Sequence, residues 1–152
     1  MSVKTSRRTL LKTAAGAAIG MPTFIPASAL GRNGNVAPSN RIVLGGIGVG
    51  RRGSKVLDGF FQQQDSQFVA VADPQKERRE IIKRLTDRNY ENNDCVTYDD
   101  MSGVLERDDI DGVIIATGDR WHTTASVYAA RAGKDIYCEK PCAMNIQECQ
   151  EL

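Results

Sequence analysis

The fold of this chain is indicated most clearly by residues 41–73, which read RIVLGGIGVGRRGSKVLDGFFQQQDSQFVAVAD. This stretch opens with a continuous apolar run over residues 41–46, which is typical of a buried parallel strand, and it closes with a second such run over residues 68–72. Four apolar residues between the two runs are spaced for one face of a helix: Val56, Leu57, Phe60 and Phe61. A strand, a helix and a strand in this order predict a βαβ unit with parallel strands.

The turn after the first strand has the pattern G-x-G-x-x-G, formed by Gly48, Gly50 and Gly53, and Asp73 follows the last glycine by 20 residues. In this setting the pattern is the fingerprint of a dinucleotide-binding turn. The first glycine allows the tight turn, the second admits the pyrophosphate, and the third lets the helix pack closely on the sheet. The helix N-terminus then offers free N–H groups to the phosphates.

Asp73 is expected to accept hydrogen bonds from the adenosine ribose, and its charge would repel the additional phosphate of NADP. NAD is therefore the favoured cofactor. Arg51 and Arg52 could each reach that phosphate, so the sequence leaves NADP open.

The alternation of strands and helices continues to Leu152 and predicts an α/β, Rossmann-type, doubly wound parallel sheet. Helices are predicted at 74–85, 99–107 and 121–132, with Asp99 or Asp100 capping the second and Gly133 closing the third. Strands are predicted at 96–98, 112–117 and 135–139, and the last of these would bury Cys138. Asn145 and Glu148 have the spacing of a capping box that opens a final helix.

The segment ATGDRWHTTASVYAARAGKDIYCEKP, residues 116–141, carries the most specific pattern. It resembles the nucleotide-binding domain of the Gfo/Idh/MocA (glucose–fructose oxidoreductase/inositol dehydrogenase/MocA) family, and the resemblance covers residues 41–152. Three matches support it: Ala116-Thr117 with His122, Ala132-Gly133-Lys134, and Glu139-Lys140-Pro141. Gly118 departs from the family pattern, in which proline is commoner after Ala-Thr.

The resemblance implies an oxidoreductase that acts on sugars or polyols with NAD(P) as the hydride carrier. It implies a cofactor site formed by Gly48, Gly50, Gly53, Asp73, Thr117, Gly118, His122, Glu139 and Lys140. Lys140 would also be the active-site lysine, whose ammonium could hydrogen-bond the substrate hydroxyl. Trp121 would pack either on the cofactor or on the sheet.

Charge is unevenly distributed along the chain. The net charge of +1 combines +4 in residues 1–29 with −3 in the rest, and no acid precedes Asp58. Arg7 and Arg8, a weakly apolar Ala/Gly stretch and the Ala27-Ser28-Ala29 motif predict a twin-arginine signal peptide at 1–29, which would engage the twin-arginine translocase. Residues 30–40 are predicted to be a linker, and the mature protein is expected to be periplasmic or otherwise exported.

Composition excludes several other classes of protein. The chain is 41% hydrophobic, 26% charged and 6% aromatic, which excludes collagen, a polytopic membrane protein and a disulfide-dense miniprotein. Nothing in it indicates a nucleic-acid partner. The spacing of Cys95, Cys138, Cys142 and Cys149 matches no common zinc site, so we expect no metal and buried or half-buried free thiols. The acids Asp108, Asp109 and Asp111 are expected to form a solvated turn.

The family resemblance also implies a second, mixed α+β domain that would follow the Glu-Lys-Pro helix and surround the substrate. The 152 residues contain no such domain, so the sequence predicts a Rossmann domain truncated before it. Two functions follow as expectations. One is the NAD(P)-binding domain of a sugar or polyol oxidoreductase, and the alternative is a non-catalytic dinucleotide-binding fragment or pseudoenzyme.

Overall fold

A computed structural model describes residues 27, 29–32 and 36–152. The arginine pair and the apolar stretch of the predicted export signal lie outside the described residues, as do residues 33–35 of the predicted linker. Among the described residues, no helix combines the length and the apolar character needed to cross a bilayer.

Five parallel strands form one sheet with the spatial order β3-β2-β1-β4-β5. Their bounds are Ile42–Ile47 for β1, Ser66–Ala72 for β2, Val96–Tyr98 for β3, Gly112–Ile115 for β4 and Asp135–Cys138 for β5. The chain moves outward from β1 to β3, then returns across the sheet to place β4 on the other side of β1. This is the doubly wound α/β topology that the sequence predicts.

Within the described residues, five α-helices connect or follow the strands: α1 Arg51–Phe61, α2 Lys76–Tyr90, α3 Ser102–Leu105, α4 His122–Arg131 and α5 Ile146–Glu151. Short 3-10 turns lie at Pro38–Asn40, in the predicted linker, and at Asp119–Trp121. The capping box at α5 is confirmed, because Glu148 N–H donates to Asn145 Oδ1 over 2.9 Å.

Two helix boundaries differ from the sequence prediction. Helix α2 begins later than residue 74 and extends to Tyr90, whose ring packs edge-on against Phe61 and whose hydroxyl accepts a bond from Phe68 N–H. Helix α3 has only four residues and begins after a turn in which Asp100 Oδ1 accepts the Ser102 N–H over 2.8 Å. Side-chain bonds of this kind favour turns over helix interiors.

Two apolar clusters cover the two faces of the sheet. One combines Leu44, Phe68, Val71 and Ile114 with residues of α1 and α2. The other combines Ile47, Ala72, Val113 and Ile115 with residues of α3 and α4. Each large apolar side chain buried in this way contributes about 1.5–3 kcal/mol. The clusters hold the strands rigidly, so the loops at their carboxyl ends have a fixed support.

The prediction that Cys138 lies in a buried strand is wrong. Strand β5 is an edge strand, Ile136 and Tyr137 are 39% and 46% exposed, and Cys138 is half-buried. A short apolar run has the same appearance in a central and in an edge strand, and only the pairing order separates them. Tyr137 packs edge-on against Phe60 of α1, which covers part of this edge.

Candidate functional site

A cleft of about 540 Å³ opens at the carboxyl ends of β1, β2 and β4. It lies where the chain reverses its direction of winding between β1 and β4, which is where open parallel sheets bind ligands. Its lining includes five residues from the sequence-predicted cofactor site: Gly48, Gly50, Asp73, Thr117 and Gly118. The structure therefore brings the glycine turn, the acid after β2 and the turn after β4 together.

The backbone conformation at position 48 requires glycine. Its φ is +63°, and a Cβ at this position would lie 2.5 Å from Thr117 Cγ2 and 2.7 Å from Thr117 Cα. Its N–H donates to Ala72 O over 2.8 Å and thereby ties the turn to the end of β2. A glycine here lets the turns after β1 and β4 meet closely.

Gly53 and Gly50 differ in what they accommodate. A Cβ on Gly53 would lie 2.8 Å from Ala116 Cβ, so this glycine allows α1 to pack on the end of β4. A Cβ on Gly50 would meet nothing nearer than Arg78 Nη1 at 3.6 Å, which is an ordinary contact. Protein packing thus leaves room above Gly50, and that room opens into the cleft. The residues present fit a dinucleotide whose pyrophosphate approaches the backbone at this point.

The β2 and β3 side of the cleft is acidic. Asp73 is 3% exposed, and its Oδ1 accepts the Gln75 N–H over 2.8 Å, which fixes the carboxylate at the end of β2. Asp99 and Asp100 line the same end of the cleft. Hydrogen bonds from Ser102 lower the pKa of Asp100, which is therefore ionised at neutral pH. Three carboxyl groups thus surround the place where the fingerprint puts the adenosine ribose.

Arg78 is a candidate cofactor-binding residue that sequence reasoning missed. It lies in the first turn of α2 and lines the cleft beside Gly50. Its side chain forms no hydrogen bond or ion pair within the described part of the chain. A guanidinium placed over a phosphate-binding turn can neutralise a pyrophosphate. The sequence signal was weak, because Arg78 lies within the charged run KERRE and nothing in that run separates a cleft residue from a solvent-facing one.

Arg52 lines the cleft but points toward β5. Its Nη2 and Nε lie 2.9 Å and 3.1 Å from Glu139 Oε1. Glu139 is 7% exposed, and Arg52 holds the pKa of this carboxyl below its ordinary value. The ion pair directs Arg52 away from the acidic side of the cleft. Because its guanidinium is already paired with Glu139, Arg52 is poorly placed to bind the additional phosphate of NADP. It also links the glycine turn to the Glu-Lys-Pro turn.

His122 lies beneath the cleft and is absent from its lining. Its ring is 1% exposed, with Nδ1 2.6 Å from Pro141 O and Nε2 3.2 Å from Thr117 O. The family resemblance implies that His122 lies beside the cofactor. In the structure, its ring instead connects the loop after β4 with the loop after β5. The Lys140–Pro141 peptide bond that it contacts is cis.

Three other residues that the family resemblance associates with the cofactor are Glu139, Lys140 and Trp121, and they differ in where they lie relative to the cleft. Lys140 is exposed and, like Glu139, lies outside the lining of the cleft, directly after β5. Trp121 is 56% exposed and lines the cleft, so it does not pack beneath the sheet.

Among the described residues, no cluster of three or more His, Cys, Asp or Glu side chains has the arrangement of a metal site.

Two acids, Asp109 and Asp111, stabilise the turn before β4. Asp109 pairs with Arg107, and Asp111 accepts the Val43 N–H over 2.7 Å. The first of these contacts lowers the pKa of Asp109. This cluster therefore shapes the entrance to β4 at the end of the sheet opposite the cleft.

All four cysteines are free, but only Cys95 is buried; Cys142 and Cys149 are exposed, contrary to the expectation of buried or half-buried thiols. Cys142 directly follows the Glu-Lys-Pro turn and Cys149 lies on the short helix α5, and little protein covers either residue. Burial raises the pKa of Cys95 to about 11.

We therefore expect iodoacetamide to label Cys142 and Cys149 in the folded protein while Cys95 stays unlabelled, because only the thiolate reacts. Timed alkylation followed by peptide mass spectrometry checks this. Labelling of Cys95 at the rate of Cys142 without denaturant would show that the packing around α2 is not as described.

The sequence of this chain is similar to those of known proteins. The family model described as "Oxidoreductase family, NAD-binding Rossmann fold", that of the Gfo/Idh/MocA proteins, matches residues 42–152. A glycosyl hydrolase family 109 protein from Solibacter usitatus is 32% identical over an alignment covering 98% of this chain and 36% of that protein. The chain thus spans about a third of the length of the curated relatives it matches.

Solved structures share the fold. A protein assigned as a myo-inositol dehydrogenase from Sinorhizobium meliloti has a TM-score of 0.64 and 28% identity, covering 72% of this chain and 31% of that one. The WlbA dehydrogenase from Chromobacterium violaceum, in complex with NADH and UDP-GlcNAcA, has a TM-score of 0.67 and 19% identity, covering 77% of this chain and 32% of that one. The second likeness shows the fold alone.

Proposed function

The chain belongs to the Gfo/Idh/MocA oxidoreductase family as its NAD-binding Rossmann domain, and from this premise we propose that the protein is an NAD-dependent oxidoreductase of sugars or polyols. The observation that carries the proposal is the open space above Gly50, on a turn that Gly48 and Gly53 hold tightly against the sheet. Bound NAD supplies a nicotinamide that accepts a hydride from a carbon bearing a hydroxyl, or returns one to a carbonyl.

The chain's own residues divide between the two ends of the cofactor. The N–H groups at the start of α1 and the free guanidinium of Arg78 bind the pyrophosphate. Asp73 accepts hydrogen bonds from the ribose hydroxyls. Thr117 and Gly118 border the nicotinamide half, and His122 fixes their loop from below.

Lys140 serves the reacting end of the site. Its ammonium donates a hydrogen bond to the substrate hydroxyl and favours the developing alkoxide. Glu139 supports the lysine indirectly, since its ion pair with Arg52 anchors the turn that carries Lys140. A steady-state assay of NAD reduction with myo-inositol tests this role. Lys140→Met should lower kcat at least about 100-fold with little change in NAD affinity, whereas Lys55→Met on the exposed face of α1 should leave both unchanged.

NAD is preferred to NADP because of the three carboxyl groups around the adenosine end. The additional phosphate of NADP carries about −1.5 to −2 charges at neutral pH and would face Asp73, Asp99 and Asp100. Arg52 offers no counter-charge there, because Glu139 holds it on the other side of β1.

We predict that Asp73→Asn reduces the preference for NAD over NADP by about ten-fold, since a charged hydrogen bond contributes about 1.5–3 kcal/mol. The asparagine keeps the Oδ1 acceptor for Gln75 N–H, so the fold should persist. Calorimetric titration with both dinucleotides measures the ratio, and Asp58→Asn, an exposed acid on α1, is the matched control. An unchanged ratio in Asp73→Asn would remove Asp73 from the ribose site.

A second candidate function is glycoside hydrolysis, favoured by the relatives named glycosyl hydrolase family 109 proteins. NAD-dependent glycosidases exist as an exception to the two-carboxylate mechanism. The two functions differ in what accumulates. An oxidoreductase produces NADH in step with oxidised polyol, whereas an NAD-dependent glycosidase releases nitrophenol from a nitrophenyl glycoside without net NADH. NAD binding with neither product would favour a module that binds the dinucleotide without turnover.

Export by the twin-arginine route completes the proposal. The arginine pair Arg7-Arg8, the weakly apolar stretch after it and the Ala27-Ser28-Ala29 motif support it. This route carries folded proteins, so NAD would bind in the cytoplasm before translocation. Changing Arg7-Arg8 to Lys-Lys should abolish appearance of the protein in the periplasmic fraction. Unchanged export of the Lys-Lys variant would exclude this route.

A further inference from the structure

We propose that Trp121 and its immediate neighbours form a binding surface for the ring of an uncharged polyhydroxylated substrate. The inference rests on the proposed function and names the part of the chain that contacts the sugar or polyol. Trp121 is the only tryptophan in the chain, and 56% of it is exposed beside a cleft. A large aromatic side chain in such a position is available to a ligand.

A second cavity, also of about 540 Å³, lies directly beside the dinucleotide cleft. Its lining consists of Gly118, Asp119, Arg120, Trp121 and Met144. Gly118 and Trp121 line both cavities, so they form the wall between them. A molecule bound in the second cavity would therefore lie next to the cleft on the side of β4, where the proposed function puts the nicotinamide.

The chemistry of this cavity fits a hydroxylated ring. The indole offers a flat apolar face, against which the C–H face of a six-membered ring can pack. Asp119 contributes acceptors and Arg120 contributes donors for hydroxyl groups. Neither side chain, nor the indole N–H, has a hydrogen-bond partner within the described part of the chain. Because the two charges have opposite signs, the pair favours an uncharged ligand.

The surface is held rigidly in place. Asp119–Trp121 form a 3-10 turn, in which Trp121 N–H donates to Gly118 O over 2.8 Å. The next residue, His122, is fully buried and contacts both Thr117 O and Pro141 O. Pro141 directly follows Lys140, so the same histidine fixes the backbone that carries the indole relative to the loop that carries the lysine. A preorganised platform loses little entropy when a ligand binds.

Saturation-transfer NMR with myo-inositol as the probe tests the proposal, because it detects weak binding and identifies the protons in contact. We expect signal on the axial ring protons with the wild-type protein, and Trp121→Ala should weaken binding roughly ten-fold. Trp121→Phe, which keeps a ring, should recover part of the affinity. Tyr128→Ala is the control, since Tyr128 is 51% exposed on α4 and lines neither cavity.

The measurement is made with and without NAD, and NAD binding is followed separately by calorimetry. NAD binding without any inositol signal in wild-type protein would overturn the surface and leave the NAD site intact. Equal signals in wild-type and Trp121→Ala protein would also overturn it. An inositol signal that depends on Trp121 in a protein that fails to bind NAD would support the surface and refute the proposed cofactor.

Discussion

Replacement of Gly50 by alanine is expected to weaken NAD binding about 100-fold while the protein stays folded. The added methyl group would occupy the space above the turn, where the pyrophosphate approaches the backbone. Losing one or two charge-assisted hydrogen bonds to phosphate, each contributing about 1.5–3 kcal/mol, accounts for this magnitude. Folding should tolerate the change, because the φ of Gly50 is −79° and its Cβ would make only ordinary contacts with Arg78.

Calorimetry with NAD measures the affinity, and thermal unfolding without NAD measures the stability. The matched control is Gly59→Ala in the last turn of α1, where a Cβ meets no atom within 4 Å and alanine should stabilise the helix by up to roughly 0.5–1 kcal/mol. Alanine at the N-cap position of Gly50 should cost the helix less than about 1 kcal/mol. Undiminished NAD affinity in Gly50→Ala would show that the pyrophosphate does not bind at this turn.

His122→Ala is expected to lower the free energy of unfolding by about 3 kcal/mol in the absence of any ligand. The buried ring contacts two backbone carbonyl oxygens, those of Thr117 and Pro141. Either neutral tautomer has one N–H and donates to one of them, so the substitution leaves that oxygen without its donor and leaves a cavity where the ring was. An unsatisfied buried polar group costs about 1–3 kcal/mol. Destabilisation by that amount would lower the melting temperature by about 10 °C for a chain of this size.

Chemical denaturation of the ligand-free protein provides the measurement. Thr124→Ala on the same helix is the control, because its side chain makes no hydrogen bond among the described residues and alanine favours helix. If His122→Ala keeps normal stability but loses NAD affinity, His122 does not stabilise the protein by connecting the loops after β4 and β5. That result would instead make His122 a direct cofactor ligand, as the sequence pattern suggested.

The parts of the site that could be predicted from the sequence are those whose residues belong to one short segment with a fixed backbone geometry. Gly48, Gly53 and Asp73 belong to one βαβ unit of fixed geometry, so their spacing alone predicts where they meet. The capping box at Asn145 was predictable for the same reason, since both of its partners lie within one helical turn. The parallel, doubly wound sheet followed from the regular alternation of strands and helices.

The remaining features depend on contacts between distant parts of the chain. Arg52 and Glu139 are 87 positions apart, and no local pattern shows that they pair. Arg78 is one of several charged residues in its helix, and only the fold shows that it faces the cleft. The exposure of strand β5 likewise depends on which strand pairs beside it. Spacing in the sequence does not determine these arrangements.

Calorimetric titration of this chain with NAD and with NADP, under identical buffer and salt conditions, tests directly whether the cleft binds a dinucleotide. The described cleft predicts one NAD bound per chain, with NADP at least about ten-fold weaker, since the three carboxyl groups repel its additional phosphate. Tighter binding of NADP would contradict the assignment of the acidic side of the cleft. No heat of binding with either dinucleotide, from a protein shown by thermal unfolding to be folded, would show that this cleft is not a dinucleotide site.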